Sequence, residues 1–253
     1  MRIVVAGGTG LVGRHLVDAL ADEHQVVVLS RSTGVDVTTG RGLDDALEGA
    51  DAVVDVTNIP TQRRRASVDF FGTVSRHLLD AGRRAGVGHH VALSIVGVDR
   101  VDSGYYAGKR VQEKEVLDGR VPASILRATQ FHQFVPMLVD ATRGPVAPMP
   151  QMRIQPIAAT EVAAALASVA VGPAVAMAPE VAGPEQHLLS NLARRLLAAR
   201  GQRRRVLAIT MPGSSGRAVA SGALLPTASG SRGVQTFDEW LEQSYAHTSS
   251  RSR

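Results

Sequence analysis

The chain has no cysteine among its 253 residues. A disulfide framework, a thiolate nucleophile and any cysteine-ligated metal are therefore excluded. Aromatic residues are scarce, at 4% with a single tryptophan, and they do not alternate with basic residues. The stacking surface of a nucleic-acid binder is missing, and the net charge of +5 is scattered over short groups such as Arg63 to Arg65 and Arg203 to Arg205. No nucleic-acid partner is expected. Long apolar runs are lacking too: the longest are of strand or helix size and are broken by charge, and no charged leader opens the chain. The expectation is a soluble cytoplasmic protein with no membrane partner, its oligomeric state left open. Adjacent His89 and His90 come without H-E-x-x-H or a comparable ligand set, so no metal is expected.

What is present begins at the first residue. MRIVVAGGTGLVGRH reads as a short β-branched strand, a glycine turn and the start of an amphipathic helix carrying Leu11, Val12, Leu16, Val17 and Leu20. Gly7, Gly10 and Gly13 have G-x-x-G-x-x-G spacing. The turn glycines permit close approach, Gly13 lets helix and strand pack, and the free N–H groups of the first helical turn face whatever lies in the turn. Gly7, Thr9, Gly10, Leu11, Val12 and Gly13 are thus candidates to hold the diphosphate of a dinucleotide.

The second strand, Gln25 to Ser30, ends in Ser30, Arg31 and Ser32. An acidic residue there would accept from a ribose 2′-hydroxyl, whereas Arg31 between serines suits a 2′-phosphate. The cofactor expected is NADP, with NAD possible, and the alternative is that Arg31 is a solvated loop charge. Gly34 to Val37 reads as a short third strand whose Asp36 either approaches the adenine or caps the next turn. Leu43 to Leu47 reads as a helix. Ala52 to Val56 is a further strand, and Thr57 and Asn58 at its end are candidates to border the cofactor. A helix from about Ser67 to Arg84 and a strand through Ser94 follow.

Tyr105 and Lys109 form Y-x-x-x-K on the next helix, which runs to about Leu117, with both side chains on one face. A free phenol is a poor proton carrier at neutral pH, and an ammonium beside it favours the phenolate while also binding a ribose. Ser94, at a strand end, is the candidate to hold a carbonyl oxygen. Tyr106 and Arg110 repeat the register, but arginine cannot exchange its proton, which favours Tyr105 with Lys109.

Pro122 to Arg127 is the sixth strand. Phe131, His132 and Phe134 follow it as candidate substrate contacts, with His132 either binding a polar substrate group or satisfying backbone. Gly144 to Pro150 reads as a proline-rich loop, Met152 to Pro156 as a short strand and Val175 to Met177 as a seventh strand of the sheet. A helix starts near Thr160, Val206 to Thr210 is a strand, and Ala218 to Leu225 is a short helix. Thr236 and Glu239 form a capping pair for a last helix.

The segments VVAGGTGLVGRHLVDAL, HHVALSIVGVD, YYAGKRVQEKEV, PASILRATQFHQF and IQPIAATEVAAAL make the chain resemble the short-chain dehydrogenase/reductase superfamily, and more closely its atypical NmrA-like, NAD(P)H-binding group. The resemblance implies an α/β fold with a doubly wound parallel sheet of Rossmann type and a small C-terminal substrate-binding part. It implies a cofactor-binding core at 1–130, an interleaved substrate portion at 131–244 and a disordered tail at 245–253. Residues matching Ser94, Tyr105 and Lys109 carry the reaction in catalytic relatives, although Ser94 stands slightly closer to the tyrosine than in the classical enzymes. The function implied is an NADPH-preferring oxidoreductase that moves hydride to or from a small carbonyl or quinone-like substrate. The alternative is a non-catalytic NADP-sensing regulator, as in relatives without a working set.

Overall fold

The computed structural model of the protein describes residues 1–227 and 230–245; the expectation for the tail beyond Tyr245 falls outside them. The described chain divides into two compact units. The first comprises Met1–Ala128 and Ala159–Glu180, and the second Thr129–Ala158 and the described residues from Val181 onward.

The first unit is built on apolar, β-branched runs too short for helices. They form β1 (Arg2–Ala6), β2 (Gln25–Leu29), β3 (Ala52–Asp55), β4 (His89–Ile95), β5 (Ala123–Ala128) and β8 (Ala176–Met177). These strands make one six-stranded sheet in the order β2-β1-β3-β4-β5-β8, with every pairing parallel. Between them run α1 (Leu11–Leu20), α2 (Leu43–Leu47), α3 (Arg64–Ala85) and α4 (Gly104–Asp118), and α6 (Ala159–Val171) precedes β8. Helices cover both sheet faces, which is why the inner strands are buried on both sides. One face packs Val4, Val53, Ala92 and Ile125 against Leu43 and Leu47 of α2, Val74 and Leu78 of α3 and Val116 of α4. The chain leaves β1 for β2 on one side and returns to β3 on the other. That reversal makes the carboxyl end of β1 the topological switch point, where such sheets bind ligands.

The second unit contains α5 (Phe134–Asp140), β6 (Val146–Pro150), β7 (Arg153–Ile154), β9 (His187–Leu188), α7 (Leu189–Ala199), β10 (Arg205–Ile209), α8 (Gly213–Ala220) and α9 (Phe237–Tyr245). β10 pairs with β6 in parallel and β7 with β9 antiparallel. Its longest buried face is the Leu189, Leu192, Ala193, Leu196 and Leu197 stripe of α7.

Three segments differ from the sequence reading. Gly34 to Val37 is not a strand: it makes a single bridge, Asp36 to Arg41, because Asp36 closes a tight turn with Thr38. Gly144 to Pro150 is not a loop, since Ala147 and Met149 alternate inward while Pro148 and Pro150 sit at positions that need no donor toward a second neighbour. The helix expected at Ala218 to Leu225 lies earlier, at Gly213–Ala220. The capping pair forms as expected: Thr236 N donates to Glu239 Oε2 at 2.7 Å, and Glu239 N donates to Thr236 Oγ1 at 3.2 Å.

Candidate active site

Gly7 turns the chain out of β1 with φ of 85°. A Cβ there would lie 2.8 Å from the Val56 carbonyl oxygen and 2.9 Å from Thr57 N, so the turn rests on the backbone just past β3. At Gly13 a Cβ would come within 2.2 Å of the Gly7 oxygen, which is why α1 can begin so close to its own strand. Gly10 precedes α1 in extended conformation; no side chain caps the helix and no acidic residue lies in its first turn. The positive end of α1, with the N–H groups of Leu11 and Val12, therefore stays available beside exposed Thr9 and Gly10. A dinucleotide diphosphate fits such an end.

At the end of β2, Arg31–Thr33 forms one 3-10 turn. Ser30 Oγ and Ser32 Oγ lie 2.7 Å apart, and Arg31 is exposed between them. Asp36 accepts from Thr38 N and Thr38 Oγ1 at 2.9 and 2.6 Å. Those bonds to Thr38, helped by the Arg31 charge, hold its carboxyl below the usual range. Of the two sequence readings for Asp36, the turn cap is the one its contacts match.

The end of β3 is more tightly organised. Buried Asp55 accepts at Oδ1 from Thr57 N (2.9 Å) and Thr57 Oγ1 (2.6 Å). Exposed Asn58 follows, and its Oδ1 accepts from the Tyr105 hydroxyl at 2.6 Å. Tyr105 is in turn fixed by α3. Ser67 Oγ donates to its carbonyl at 2.9 Å, Phe71 meets its ring edge-on at 5.7 Å, and Gly108 lies so close that a Cβ would be 2.2 Å from Ser67 Oγ. Burial pushes the Tyr105 phenol up to about 12. The hydroxyl is thus a donor at neutral pH.

Lys109 does not stand beside that hydroxyl as an exposed partner. Only 4% accessible, its Nζ donates to the Leu93 carbonyl at 2.5 Å and to Gln112 Oε1 and lies 4.7 Å above the Phe71 ring. Burial lowers its pKa to about 8, against the opposing charges of Asp55 and Glu113. Ser94 is 2% exposed, and its Oγ has no hydrogen-bond partner among the described residues. Arg110 of the alternative pair is committed to the preceding loop, donating to the Val98 and Val101 carbonyls and to Asp102. Within the second unit, Phe131 and Phe134 are half-buried. His132 is fully buried, stacked on Trp240 at 5.7 Å, with its Nε2 3.3 Å from the Gln235 carbonyl.

The structure thus brings the Gly7 to Gly13 turn, Thr57, Asn58 and Tyr105 to neighbouring strand ends of one sheet. Residues 3–98 match the NAD dependent epimerase/dehydratase family. That segment is under half of the chain, and it runs from β1 to the end of β4, including the glycine turn. The chain is also 35% identical over 144 residues to a (4-alkanoyl-5-oxo-2,5-dihydrofuran-3-yl)methyl phosphate reductase of Streptomyces griseus. That match covers 51% of this chain and 48% of the reductase, so the chain matches about half of the relative's length. Among solved structures, the Escherichia coli NADPH-dependent quinone oxidoreductase with NADPH aligns at TM-score 0.73 and 17% identity, covering 96% of this chain and 99% of that one. The Citrobacter sp. triphenylmethane reductase with NADP(H) aligns at TM-score 0.73 and 16% identity, with the same coverage. These two likenesses show a shared fold. No helix among the described residues is long and apolar enough to cross a membrane.

Sequence reasoning missed Asp55, Gln112 and Phe71. The only traces of the first two were a carboxylate closing an apolar strand and a glutamine one helical turn after Lys109.

Proposed function

We propose that the protein is an NADPH-preferring reductase of a small carbonyl or quinone-like substrate, with the Tyr105 hydroxyl as the proton donor. The observation that carries the reading is the Tyr105–Asn58 hydrogen bond of 2.6 Å, one residue beyond the Thr57 backbone on which Gly7 rests. NADPH, when bound, supplies the hydride. The uncapped α1 terminus holds its diphosphate, and Arg31 with Ser30 and Ser32 binds the 2′-phosphate. Lys109 has one N–H beyond its bonds to Leu93 and Gln112, which we assign to a ribose hydroxyl. Tyr105 turns its single O–H from Asn58 Oδ1 to the substrate oxygen, donates that proton as the carbonyl is reduced, and regains one from solvent. A phenol held protonated by burial suits this reductive direction.

The 35% identical reductase supports the reaction class, and the quoted NmrA-like segments support placement in that branch. The test is NADPH consumption with a panel of carbonyls and quinones, with products identified by mass spectrometry. The expected result is one product hydroxyl, or one hydroquinone, per NADPH oxidised. Tight NADPH binding with no turnover across the panel would favour the sensor reading instead.

A further inference from the structure

Between β3 and α4 lies a buried polar chain that the proposed chemistry does not by itself require. Asp55 Oδ2 accepts from Gln112 Nε2 at 2.7 Å, and Gln112 Oε1 accepts from Lys109 Nζ. A carboxylate can only accept and an ammonium only donate, so the glutamine amide between them has one possible orientation. Asp55 and Gln112 are both 1% exposed. The other oxygen of the same carboxylate holds Thr57 by two bonds, and Thr57 precedes Asn58. Both sides of the Tyr105–Asn58 contact therefore hang from one carboxylate. Asn58 is the residue after Thr57, and Tyr105 lies one helical turn before Lys109 on α4.

We propose that Asp55 and Gln112 are positioning residues of the reduction: the Gln112 amide carries the Asp55 charge to Lys109 and keeps α4 in register with the end of β3. The inference rests on the reductase reading above. Removing a charge or a hydrogen bond from such a buried chain leaves a polar group without its partner, which shifts both geometry and protonation.

The groups that act on Lys109 are Asp55 from β3 and Glu113 from α4 itself. His90 from β4 faces Asp55, and Arg127 from β5 neutralises Glu113 through bonds of 2.8 and 2.7 Å. Asp55→Asn keeps the shape but removes the charge. Gln112→Glu keeps the acceptor for Lys109 but replaces the donor to Asp55 with a carboxyl oxygen, so the two carboxyls share one proton and their single charge moves closer to Lys109. Two readouts follow from these near-isosteric variants in the full-length protein. One is the titration of Lys109 itself, read by NMR of lysine labelled with ¹³C at Cε and assigned by its loss in Lys109→Arg. The other is the pH profile of kcat and of KM for NADPH.

Asp55→Asn should move the Lys109 titration and the alkaline limb of kcat from about 8 to lower pH, by on the order of one unit, and so lower kcat at pH 7 about twofold with little change in KM. Gln112→Glu should move both in the opposite direction. An unmoved Lys109 titration in both variants, with wild-type kcat, would overturn the inference. Should Asp55→Asn fail to fold, Gln112→Glu alone decides, since its upward shift is not produced by a general loosening of the core. If the wild-type protein reduces nothing, the reductase reading fails. The titration then decides the relay, a shift supporting it and an unmoved Lys109 overturning it.

Discussion

Arg31 is exposed one residue beyond the turn out of β2, flanked by two serine hydroxyls that touch each other. Its nearest electrostatic effect is on Asp36, whose carboxyl already takes its bonds from Thr38. The guanidinium is thus poised for a further anion, and a phosphate with two charges competes well against a solvated carboxylate. Arg31→Ala should weaken NADP binding by ~1–3 kcal/mol and leave NAD binding nearly unchanged. Isothermal titration with both dinucleotides checks this, and an equal loss for both would remove the 2′-phosphate role. Tyr105 shows the same logic in reverse. The expectation that Lys109 favours its phenolate does not match the contacts, because the ammonium is drawn inward by Leu93, Gln112 and Phe71. Desolvation is what acts on the phenol.

Among the elements, β4 combines an ordinary apolar strand with an acid-sensitive start. His89 Nε2 bonds Ser124 Oγ at 2.8 Å, and desolvation lowers its pKa. Desolvation lowers that of His90 to about 4, with Asp55 opposing. The folded state therefore prefers both rings neutral. The stability this implies is fully present above the unfolded value near 6.5 and is lost as pH falls through the window toward about 4. His90→Gln should consequently show a shallower loss of urea-unfolding stability between about pH 7 and 5 than the wild type. Parallel curves for the two proteins would contradict the account. The histidines were visible in the sequence, but their burial was not, since it follows from β4 lying third from one sheet edge with helices on both faces. The same holds for β6. Three prolines in PVAPMP suggested a loop, and only the distant partner β10 makes it a strand.

Across the whole molecule, what could be read in the sequence was what is local. The strand, glycine turn and helix of residues 2–20 and the Tyr105 helix declare themselves within one or two turns of chain. The parallel sheet was expected from the family resemblance of several such local segments, and the capping pair at Thr236 from a spacing of three. The relay joining Asp55 to Gln112 spans 57 positions, and no spacing rule connects a strand-end carboxylate to a helix glutamine. Ala159–Glu180 returns to the first unit, and Val175 to Met177, read from the sequence as a strand of the sheet, supplies the two-residue β8 that pairs with β5. The reductase reading depends on one atom of this assembly, the Tyr105 hydroxyl on Asn58. Tyr105→Phe removes that oxygen and leaves the ring against Phe71. Its NADPH dissociation constant and its turnover, measured on the same preparation, test the claim most directly. The account predicts binding within about twofold of wild type and a fall in kcat of about 10²-fold or more; unchanged kcat would contradict it.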